Sequence, residues 1–393
     1  MAKIGDSVKK KVPELRFPGF TDDWEERKLN ENVENIGTGR SSFKAGLDYS
    51  EQTPYEVLGS TSVISYSDSF DHSGNFVLTA RVGANAGNLY KHSGNVKISD
   101  NTVYIQSKNL EFIFYLLTKY DLKKLAFGTG QPLIKASELK NLKLFFPKKF
   151  GEQQKIGSFF KQLDETIALH QRKLDLLKEQ KKGYLQKMFP KNGAKVPELR
   201  FAGFADDWEE RKLGDLSKIS RGASPRPIQD PKWFDNNSDI GWLRIADVTE
   251  QNGRITHLEQ KISKLAEEKT RVLLTPHLLL SIAATVGKPV INYVKTGVHD
   301  GFLIFYNPQF DQEFMFQWLE MFRPKWQKYG QPGSQVNLNS ELVKNQDILL
   351  PLLEEQVKIG TFFKQLDDTI ALHQRKLDLL KEQKKGFLQK MFV

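Results

Sequence analysis

The sequence predicts an α+β fold in which two globular modules are held apart by two long antiparallel coiled-coil helices, related by a pseudo-two-fold internal repeat. Three observations support this prediction. Residues 152–189 recur at 355–392 with only four of 38 positions changed. Both copies carry apolar residues at heptad spacing. Two unlike segments beside them mix strand-like runs with an apolar helix, so the chain is two copies of one unit.

The two long repeats are predicted to be helices whose apolar seams cover each other. Apolar residues follow one another three and four positions apart through each repeat, which is the a/d pattern of a coiled coil. Burying such a seam stabilises the pair by roughly 1.5 to 3 kcal/mol per large side chain. The predicted seam residues are Phe160, Leu163, Ile167, Leu174 and Leu177 in the first repeat and Phe363, Leu366, Ile370, Leu377 and Leu380 in the second.

The internal repeat favours an antiparallel pair. If a two-fold axis relates the two units, each helix makes the same contacts with the other, as in an isologous dimer. We expect the polar seam positions His170, Lys181, His373 and Lys384 to fix the register. Helices of this length, about 54 Å, would act as a ruler between the modules.

A second, shorter repeat marks the start of each module. The motif VPELRFxGFxDDWEERKL begins at Val12 and again at Val196, and we predict that it joins each module to its helix, with contact to a partner protein as the alternative. The predicted domains are a first module at 1–150 with the motif at 12–29, a first repeat helix at 151–190, a second module at 191–353 with the motif at 196–213, and a second repeat helix at 354–393.

The two modules are expected to share a scaffold and to differ in their loops. Each shows short β-rich runs, such as those at 55–58 and 303–306, followed by an apolar helix at 112–125 or 314–326. Each then carries a loop with Gly and Gln, FGTGQP at 127–132 and YGQPGSQ at 329–335. This organisation predicts two modules of one architecture with different loop surfaces.

Composition limits the classes of function. The chain contains no cysteine, which excludes disulfides, thiolate nucleophiles and the commoner structural zinc sites. No run approaches the roughly 18 apolar residues that cross a bilayer, and the lysine-rich start lacks the apolar stretch of a signal peptide, so we expect a cytoplasmic protein. A net charge of +10 favours a polyanion, nucleic acid first, as partner. The alternative is that the lysines only keep the long helices soluble.

Polar loop residues are the candidates for contact with double-stranded DNA. Arg, Asn and Gln can donate bidentate hydrogen bonds to guanine or adenine, and glycines let the backbone approach phosphates. The alternative for each is a solvated turn residue. The candidates are Arg40, Ser41, Arg81, Asn85 and Gln131 in the first module and Arg221, Ser224, Arg226, Lys288, Gln335 and Asn337 in the second.

No complete catalytic site is recognisable in the sequence. The run at 307–310, Asn-Pro-Gln-Phe, lacks the second proline of the loop with which amino-methyltransferases grip a base, and the run at 282–289 lacks the first glycine and the final Ser or Thr of a phosphate loop. The seven histidines show no paired metal spacing. We therefore predict no catalytic and no metal-binding residues.

The order of these features resembles the specificity (S) subunit of type I restriction-modification systems. The resemblance is carried by Glu-Gln-x-x-Ile-Gly-x-Phe-Phe-x-x-Leu-Asp-x-x-Ile at 152–167 and 355–370, and by Arg-Lys-Leu-x-x-Leu-Lys-x-x-Lys-Lys-Gly, which closes each helix. The runs at 220–225 and 242–248 resemble the opening of a target recognition domain. The match covers essentially the whole chain, although the first module, at 35–40, lacks the Ser-Pro pair of that opening.

The resemblance implies a non-catalytic subunit. In that family each target recognition domain reads one half of a split, asymmetric DNA sequence, and the paired helices set the gap. Two modification (methyltransferase) subunits dock on the helices and methylate adenine N6, and restriction (nuclease and translocase) subunits complete the complex. S-adenosylmethionine, ATP and Mg are then expected on the partner subunits, and no cofactor on this chain.

Two other functions remain open from the sequence. A stand-alone two-headed DNA-binding regulator would recruit no enzyme. A coiled-coil scaffold with protein-binding ends would show no salt-dependent affinity for DNA. An independent enzyme is the least expected function, because no catalytic constellation is complete.

Overall fold

The structure is a computed structural model that describes residues 12–42, 46–126, 132–191, 193–326, 328 and 338–393. Its contacts divide the chain into two compact units, one formed by Met1–Arg172 with Arg375–Val393 and the other by Lys173–Gln374. Each unit combines one globular segment with one half of each long helix. This division arises because the core of each unit takes in the start of one repeat helix and the end of the other.

The first unit is built on a six-stranded sheet. Its elements in chain order are β1 (Glu25–Lys28), a 3-10 turn (Leu29–Glu31), β2 (Asn35–Thr38), β3 (Tyr55–Leu58), β4 (Val63–Ser67), β5 (His72–Ala80), β6 (Leu89–Ile98), β7 (Thr102–Gln106), α1 (Leu110–Tyr120), a 3-10 turn (Leu122–Leu125), α2 (Ala136–Asn141), β8 (Lys143–Phe146) and the start of α3 (Phe150–Lys187). The sheet order is β2-β7-β5-β6-β3-β4, with β1 and β8 forming a separate pair. All neighbours are antiparallel except β3 with β6.

The second half of β5, within the six-stranded sheet, is buried on both faces. On β5, Phe76 and Leu78 face one apolar cluster, and Val77 between them faces a second cluster that contains Phe112 of α1. Side chains alternate between the two faces of a strand. A strand covered on both faces therefore has a continuous apolar run rather than an alternating one, as in the run 76–78.

The second unit carries two sheets of its own. Its elements in chain order are the end of α3, β9 (Glu209–Lys212), α4 (Leu213–Leu216), β10 (Lys218–Arg221), a 3-10 turn (Pro231–Trp233), β11 (Gly241–Trp242), α5 (Ile245–Glu250), β12 (Arg254–Ile255), α6 (Lys264–Glu267), β13 (Arg271–Leu273), β14 (Leu278–Ser281), β15 (Pro289–Asn292), β16 (Thr296–Val298), β17 (Phe302–Tyr306), α7 (Gln312–Trp326), α8 (Ser340–Lys344), β18 (Asp347–Leu350) and the start of α9 (Leu353–Lys390). The sheet orders are β10-β17-β14-β15-β12 and β11-β16-β13, with β18 and β9 as a separate pair.

The core of the second unit repeats the plan of the first. On β14, Leu278 and Leu280 face the cluster that contains Phe314 of α7, and Leu279 faces a smaller cluster on the other side. In both units a helix that follows the last long strand covers one face of the sheet. The two modules therefore share one architecture, as the sequence predicted.

The two long helices are antiparallel in each unit. In the first unit Phe159, near the start of α3, lies against Phe387, near the end of α9, with ring centroids 5.1 Å apart. In the second unit Tyr184, near the end of α3, lies against Phe362, near the start of α9, at the same distance. The predicted fold class, α+β modules with an antiparallel helix pair, is confirmed.

The predicted seam is turned inward. Phe160, Leu174, Leu177, Phe363, Leu377 and Leu380 are buried, and Leu163, Ile167, Leu366 and Ile370 are half-buried. Ion pairs accompany it: Lys181 Nζ lies 2.6 Å from Asp367 Oδ1, and Lys384 Nζ lies 2.5 Å from Asp164 Oδ1. These pairs connect the two helices at repeated positions, which agrees with the register role expected of both lysines. His170 and His373 are half-buried.

The short repeated motif anchors the start of each long helix. Trp24 is buried against Phe112, and Arg16 donates two hydrogen bonds, of 2.6 and 2.8 Å, to the fully buried carboxylate of Glu152 on α3. The copy in the second unit repeats this arrangement, with Arg200 donating two bonds of 2.7 Å to Glu355 on α9. The motif is therefore a joint between module and helix.

Within the described ranges, none of the helices combines the length and apolar character needed to cross a membrane.

Arg16→Ala should destabilise the first unit by about 3–5 kcal/mol, because it leaves the carboxylate of Glu152 buried without its cationic partner. Chemical denaturation of the purified chain measures this loss. Arg27→Ala is the matched control, since Arg27 pairs with Glu25 at the surface and both side chains are about 40% exposed. Equal effects of the two substitutions would contradict the role assigned to the buried pair.

Candidate nucleic-acid interface

Two candidates of the first unit, Ser41 and Arg81, lie in loops that contact the turn between β6 and β7. Ser41 follows β2, and its backbone N–H donates to Ile98 O at 3.2 Å. Arg81 follows β5, and its N–H donates to Asn101 O at 2.8 Å. The two loops therefore lie on either side of residues 98–101. The side chain of Ser41 also donates to Asp71, at 2.9 Å.

Three of the candidates in the first unit have side chains exposed to solvent. Arg40, Arg81 and Asn85 are exposed. Asn85 lies in the loop between β5 and β6, where its side-chain oxygen accepts a hydrogen bond from Asn88 at 3.1 Å. Gln131 lies outside the described residues, but Pro132 beside it accepts a hydrogen bond from Gly83 N at 3.0 Å. The segment after position 131 thus lies against the Arg81 loop.

In the second unit, Arg221, Ser224 and Arg226 converge on Asp300, and these four residues are called the Asp300 cluster below. Ser224 Oγ donates to Asp300 Oδ1 at 2.7 Å, and Arg226 donates to Oδ2 at 2.9 Å. Arg221 Nε donates to the backbone oxygen of Asp300 at 2.5 Å. The hydrogen bond from Ser224, assisted by the charges of Arg226 and Arg221, lowers the pKa of Asp300. Asp300 therefore holds three candidate residues in one place, two through its carboxylate and Arg221 through its backbone oxygen.

The Asp300 cluster keeps cationic surface available. The side chain of Arg226 is 73% exposed although it contacts Asp300, and Arg221 is also exposed. A guanidinium has five donors, so a single hydrogen bond to Asp300 leaves others free for a phosphate or a base edge. The arrangement can present an oriented arginine pair to a polyanion.

Lys288 differs from the other charged candidates because its side chain is only slightly exposed and its charged group is paired within the unit. Its ammonium pairs with Glu320 on α7 and donates to Asn252 Oδ1 at 2.8 Å, and its side chain is only 12% exposed. An ammonium engaged in this way holds the loop at 282–288 to the scaffold, and its contact with DNA stays a prediction. Gln335 and Asn337 lie outside the described residues.

The turn that carries the Asp300 cluster has the same backbone contacts as the turn at 98–101. Gly39 N donates to Thr102 O at 3.0 Å, and Gly222 N donates to Phe302 O at 2.9 Å. A Cβ at Gly39 or Gly222 would lie 2.2 or 2.1 Å from a carbonyl oxygen of the turn, so glycine is required at both places. The two units therefore present equivalent turns with different side chains.

Asp300 itself was missed by the sequence analysis. A signal for it exists, since an apolar residue, a polar residue and Asp stand at 98–100 and again at 298–300, each just before a strand. The shared pattern is only three residues long and stands in otherwise unlike segments, so it is too short to identify Asp300 from the sequence. His299 beside it was missed as well.

His299 supports the Asp300 turn from within. Its ring packs against Phe302 and Trp242, with centroids 4.9 and 5.8 Å away, and its Nδ1 accepts a hydrogen bond from Gly301 N at 2.9 Å. An accepting Nδ1 requires a ring that is not protonated there. Burial lowers the pKa of His299 below its ordinary value. The neutral ring is therefore part of the folded turn.

The second unit should lose stability as the pH falls below about 6.5, the ordinary pKa of histidine. The unfolded chain takes up a proton there, whereas the folded His299 does so only at lower pH, so the contribution is complete above that pH and declines below it. We expect the free energy of unfolding to decline as the pH falls from about 7 to about 5.5. His299→Asn, which keeps an acceptor, should lack this component in denaturation curves, whereas the exposed His257→Asn should keep it. An unchanged pH profile in His299→Asn would contradict the assignment.

Comparison with known proteins identifies relatives along most of the chain. The MjaVIII type I restriction enzyme specificity subunit of Methanocaldococcus jannaschii is 23% identical over 337 residues, which are 80% of this chain and 77% of that protein. A putative MjaX type I restriction enzyme specificity subunit of the same organism is 23% identical over 289 residues, 70% of this chain and 66% of that protein.

Solved structures share the fold. The crystal structure of a type I restriction-modification S subunit from M. genitalium matches with a TM-score of 0.66 at 15% identity, covering 97% of this chain and 99% of that chain. A chain from a structure on complex assembly and conformational transition of the type I R-M system matches with a TM-score of 0.54 at 17% identity, covering 97% and 99%.

The type I restriction modification DNA specificity domain matches the chain twice, at residues 21–179 and 205–382. These two matches contain both globular segments and most of both long helices. The family that the repeat motifs predicted is confirmed. The chain therefore belongs to the type I restriction modification DNA specificity domain family and carries two copies of that domain.

Proposed function

We propose that this chain is the non-catalytic, sequence-specific DNA-binding subunit of a type I restriction-modification complex. Each unit reads one half of a bipartite, asymmetric site. One observation carries this proposal: the two units place different polar side chains on equivalent turns, at 98–101 and 298–301. Identical readers would require a palindromic site, and unlike readers do not.

Contact with DNA is proposed for the exposed side chains at these turns. The arginines at 40, 81, 221 and 226 offer forks that suit guanine or phosphate, and Asn85 suits adenine. Ser41 and Ser224 hold the loops through hydrogen bonds to Asp71 and Asp300, and their hydroxyls can still accept a bond. Gln131, Gln335 and Asn337 stay predicted contacts. The net charge of +10 supplies sequence-independent attraction to the backbone.

The long helices are proposed to set the spacing between the half-sites and to bind the partner subunits. Two methyltransferase subunits would dock there and methylate adenine N6 with S-adenosylmethionine, and restriction subunits would add ATP- and Mg-dependent cleavage. The outer faces of the helices support docking, because they expose large apolar side chains at seven-residue spacing: Leu169 and Leu176, with their copies Leu372 and Leu379, are each more than half exposed.

Coexpression with a methyltransferase subunit of the same system tests the proposal. The expected product is a complex with two methyltransferase subunits per chain, and single-molecule sequencing of the host DNA should show one bipartite motif with methyladenine in each half. A chain that binds DNA alone and never copurifies with the methyltransferase would instead be a two-headed regulator. A chain without salt-dependent DNA affinity would be a scaffold.

Arg226→Ala should weaken DNA binding by about 1–3 kcal/mol and relax base preference at one position of one half-site, because a bidentate contact to a base edge is lost. Arg81→Ala should do the same in the other half. Arg211→Ala, a half-buried arginine on β9 whose side chain is 39% exposed, is the control. Fluorescence anisotropy with duplexes that differ by single base pairs measures the effect. Affinities equal to that of the control would remove both residues from the proposed interface.

Insertion of four residues at equivalent points of both long helices, after Arg172 and Arg375, should lengthen the unread gap by about 2 base pairs. The reason is that four helical residues add about 6 Å, and B-DNA rises about 34 Å per 10 base pairs. Methylation sequencing should show both half-sequences unchanged. A changed half-sequence with the original gap would contradict the ruler function.

A further inference from the structure

Asp367 on α9 has more polar partners than the pairing of two helices requires. Its Oδ1 accepts the ion pair from Lys181 of α3 at 2.6 Å. Its Oδ2 accepts hydrogen bonds from Gln317 of α7 at 2.8 Å and from Arg254 of β12 at 3.2 Å. The side chain is only 8% exposed. One buried carboxylate therefore connects both long helices to two elements of the second globular segment.

Arg254 is held so that its fork cannot turn away from Asp367. Its second terminal nitrogen donates to Glu313 Oε1 at 2.8 Å and to the hydroxyl of Tyr293 at 3.0 Å. Its guanidinium also stacks on Phe316, with 4.5 Å from Cζ to the ring centroid. Burial opposes the charge, but Glu313, Tyr293 and Asp367 together raise the pKa of Arg254. The guanidinium is thus a fixed cation between α9, α7 and the edge of the sheet.

The network continues from Arg254 to the loops of the proposed interface. Two residues before Arg254, the side-chain oxygen of Asn252 accepts a hydrogen bond from Lys288, at 2.8 Å. Lys288 closes the loop between β14 and β15, and at the other end of that loop Ile282 N donates to Gly301 O at 2.9 Å. Gly301 follows Asp300 directly. Hydrogen bonds and two short chain segments, 252–254 and 282–288, therefore join Asp367 to the Asp300 cluster.

We propose that Asp367 is a positioning residue for DNA recognition, which through Arg254 and the Lys288 loop fixes the orientation of the Asp300 cluster relative to the helix halves of the same unit. This inference rests on the proposed function. It explains why Lys288, a basic residue in a glycine-containing loop, faces the scaffold. It also predicts that fidelity in one half-site depends on a residue that lies in the helix pair.

The first unit supplies a natural comparison. Asp164 is the copy of Asp367, and it pairs with Lys384 at 2.5 Å and accepts a hydrogen bond from the hydroxyl of Tyr115 at 2.6 Å. Tyr115 stands where the second unit has Gln317, and Asp164 is 35% exposed. Asp164 thus has fewer polar partners than Asp367 and is more exposed to water. Loss of its charge should have the weaker effect on its own half-site.

The experiment uses the full complex with methyltransferase subunits, carrying Asp367→Asn, which keeps the size of the side chain and removes its charge. Methylation rates are measured on duplexes with one mismatch in either half. For mismatches in the half read by the second unit, we expect the methylation rate, taken relative to the rate on the matched site, to rise about tenfold. For mismatches in the other half, this relative rate should stay unchanged. Asp164→Asn should give a smaller rise, confined to the other half. The neighbouring Asp368→Asn, which removes an exposed pair with Lys364, is the control.

Several outcomes would overturn the proposal. Equal fidelity in Asp367→Asn and Asp368→Asn would overturn it. Equal relaxation of both halves in Asp367→Asn would also overturn it, because equal relaxation indicates general loosening. If Asp367→Asn does not fold, Arg254→Lys keeps the charge but loses the fork and should give the same one-sided relaxation; normal fidelity in that variant would also exclude the proposal. Failure of the proposed function is distinguishable, because the wild-type complex would then methylate no bipartite motif at all.

Discussion

The structure depends on the burial of two nearly identical apolar seams, each of which covers the other in the pair of long helices. A lone helix with the seam at 160–177 would leave large apolar side chains in water, and its copy at 363–380 supplies the matching surface. The ion pairs of Lys181 with Asp367 and of Lys384 with Asp164 add register rather than much stability. Desolvation offsets most of the attraction in the buried first pair, and water screens the more exposed second pair. A slipped register would leave these charges unpaired, which makes the observed alignment the favoured one.

The pairing of the two helices determines which segments of the chain form each unit. The end of one helix enters the core where the other begins, so Phe392 packs on Phe160 and Phe189 packs on Phe363. The short motif then closes each core with a buried tryptophan and a bidentate Arg–Glu pair. Neither globular segment is complete without the helix that comes from the other repeat. A mutation at the end of α3 can therefore disturb the second unit, and a mutation at the end of α9 can disturb the first.

Repetition explains what the sequence predicted well. Duplicated positions such as Phe160 and Phe363 indicated the seam, and the heptad spacing indicated the helices, because both signals are local and periodic. The apolar helices and strands such as β17 were also predictable from local runs of apolar and β-favouring residues. The Asp300 cluster was only half predictable: Arg221, Ser224 and Arg226 were recognised as polar loop residues, but their common partner lies more than 70 positions away. The ion pair of Lys288 was not predictable, because its partner Glu320 belongs to an apolar helix, where the sequence gives no sign of pairing.

The central claim is that each unit reads its own half of the DNA site while the helices carry no sequence information. Exchange of residues 214–350 for the equivalent segment of a family member with a different target, followed by sequencing of methylated adenines in cells that express the complex, tests it most directly. The account predicts a motif in which one half is new and the other half and the gap are retained. A motif changed in both halves, or in neither, would contradict it.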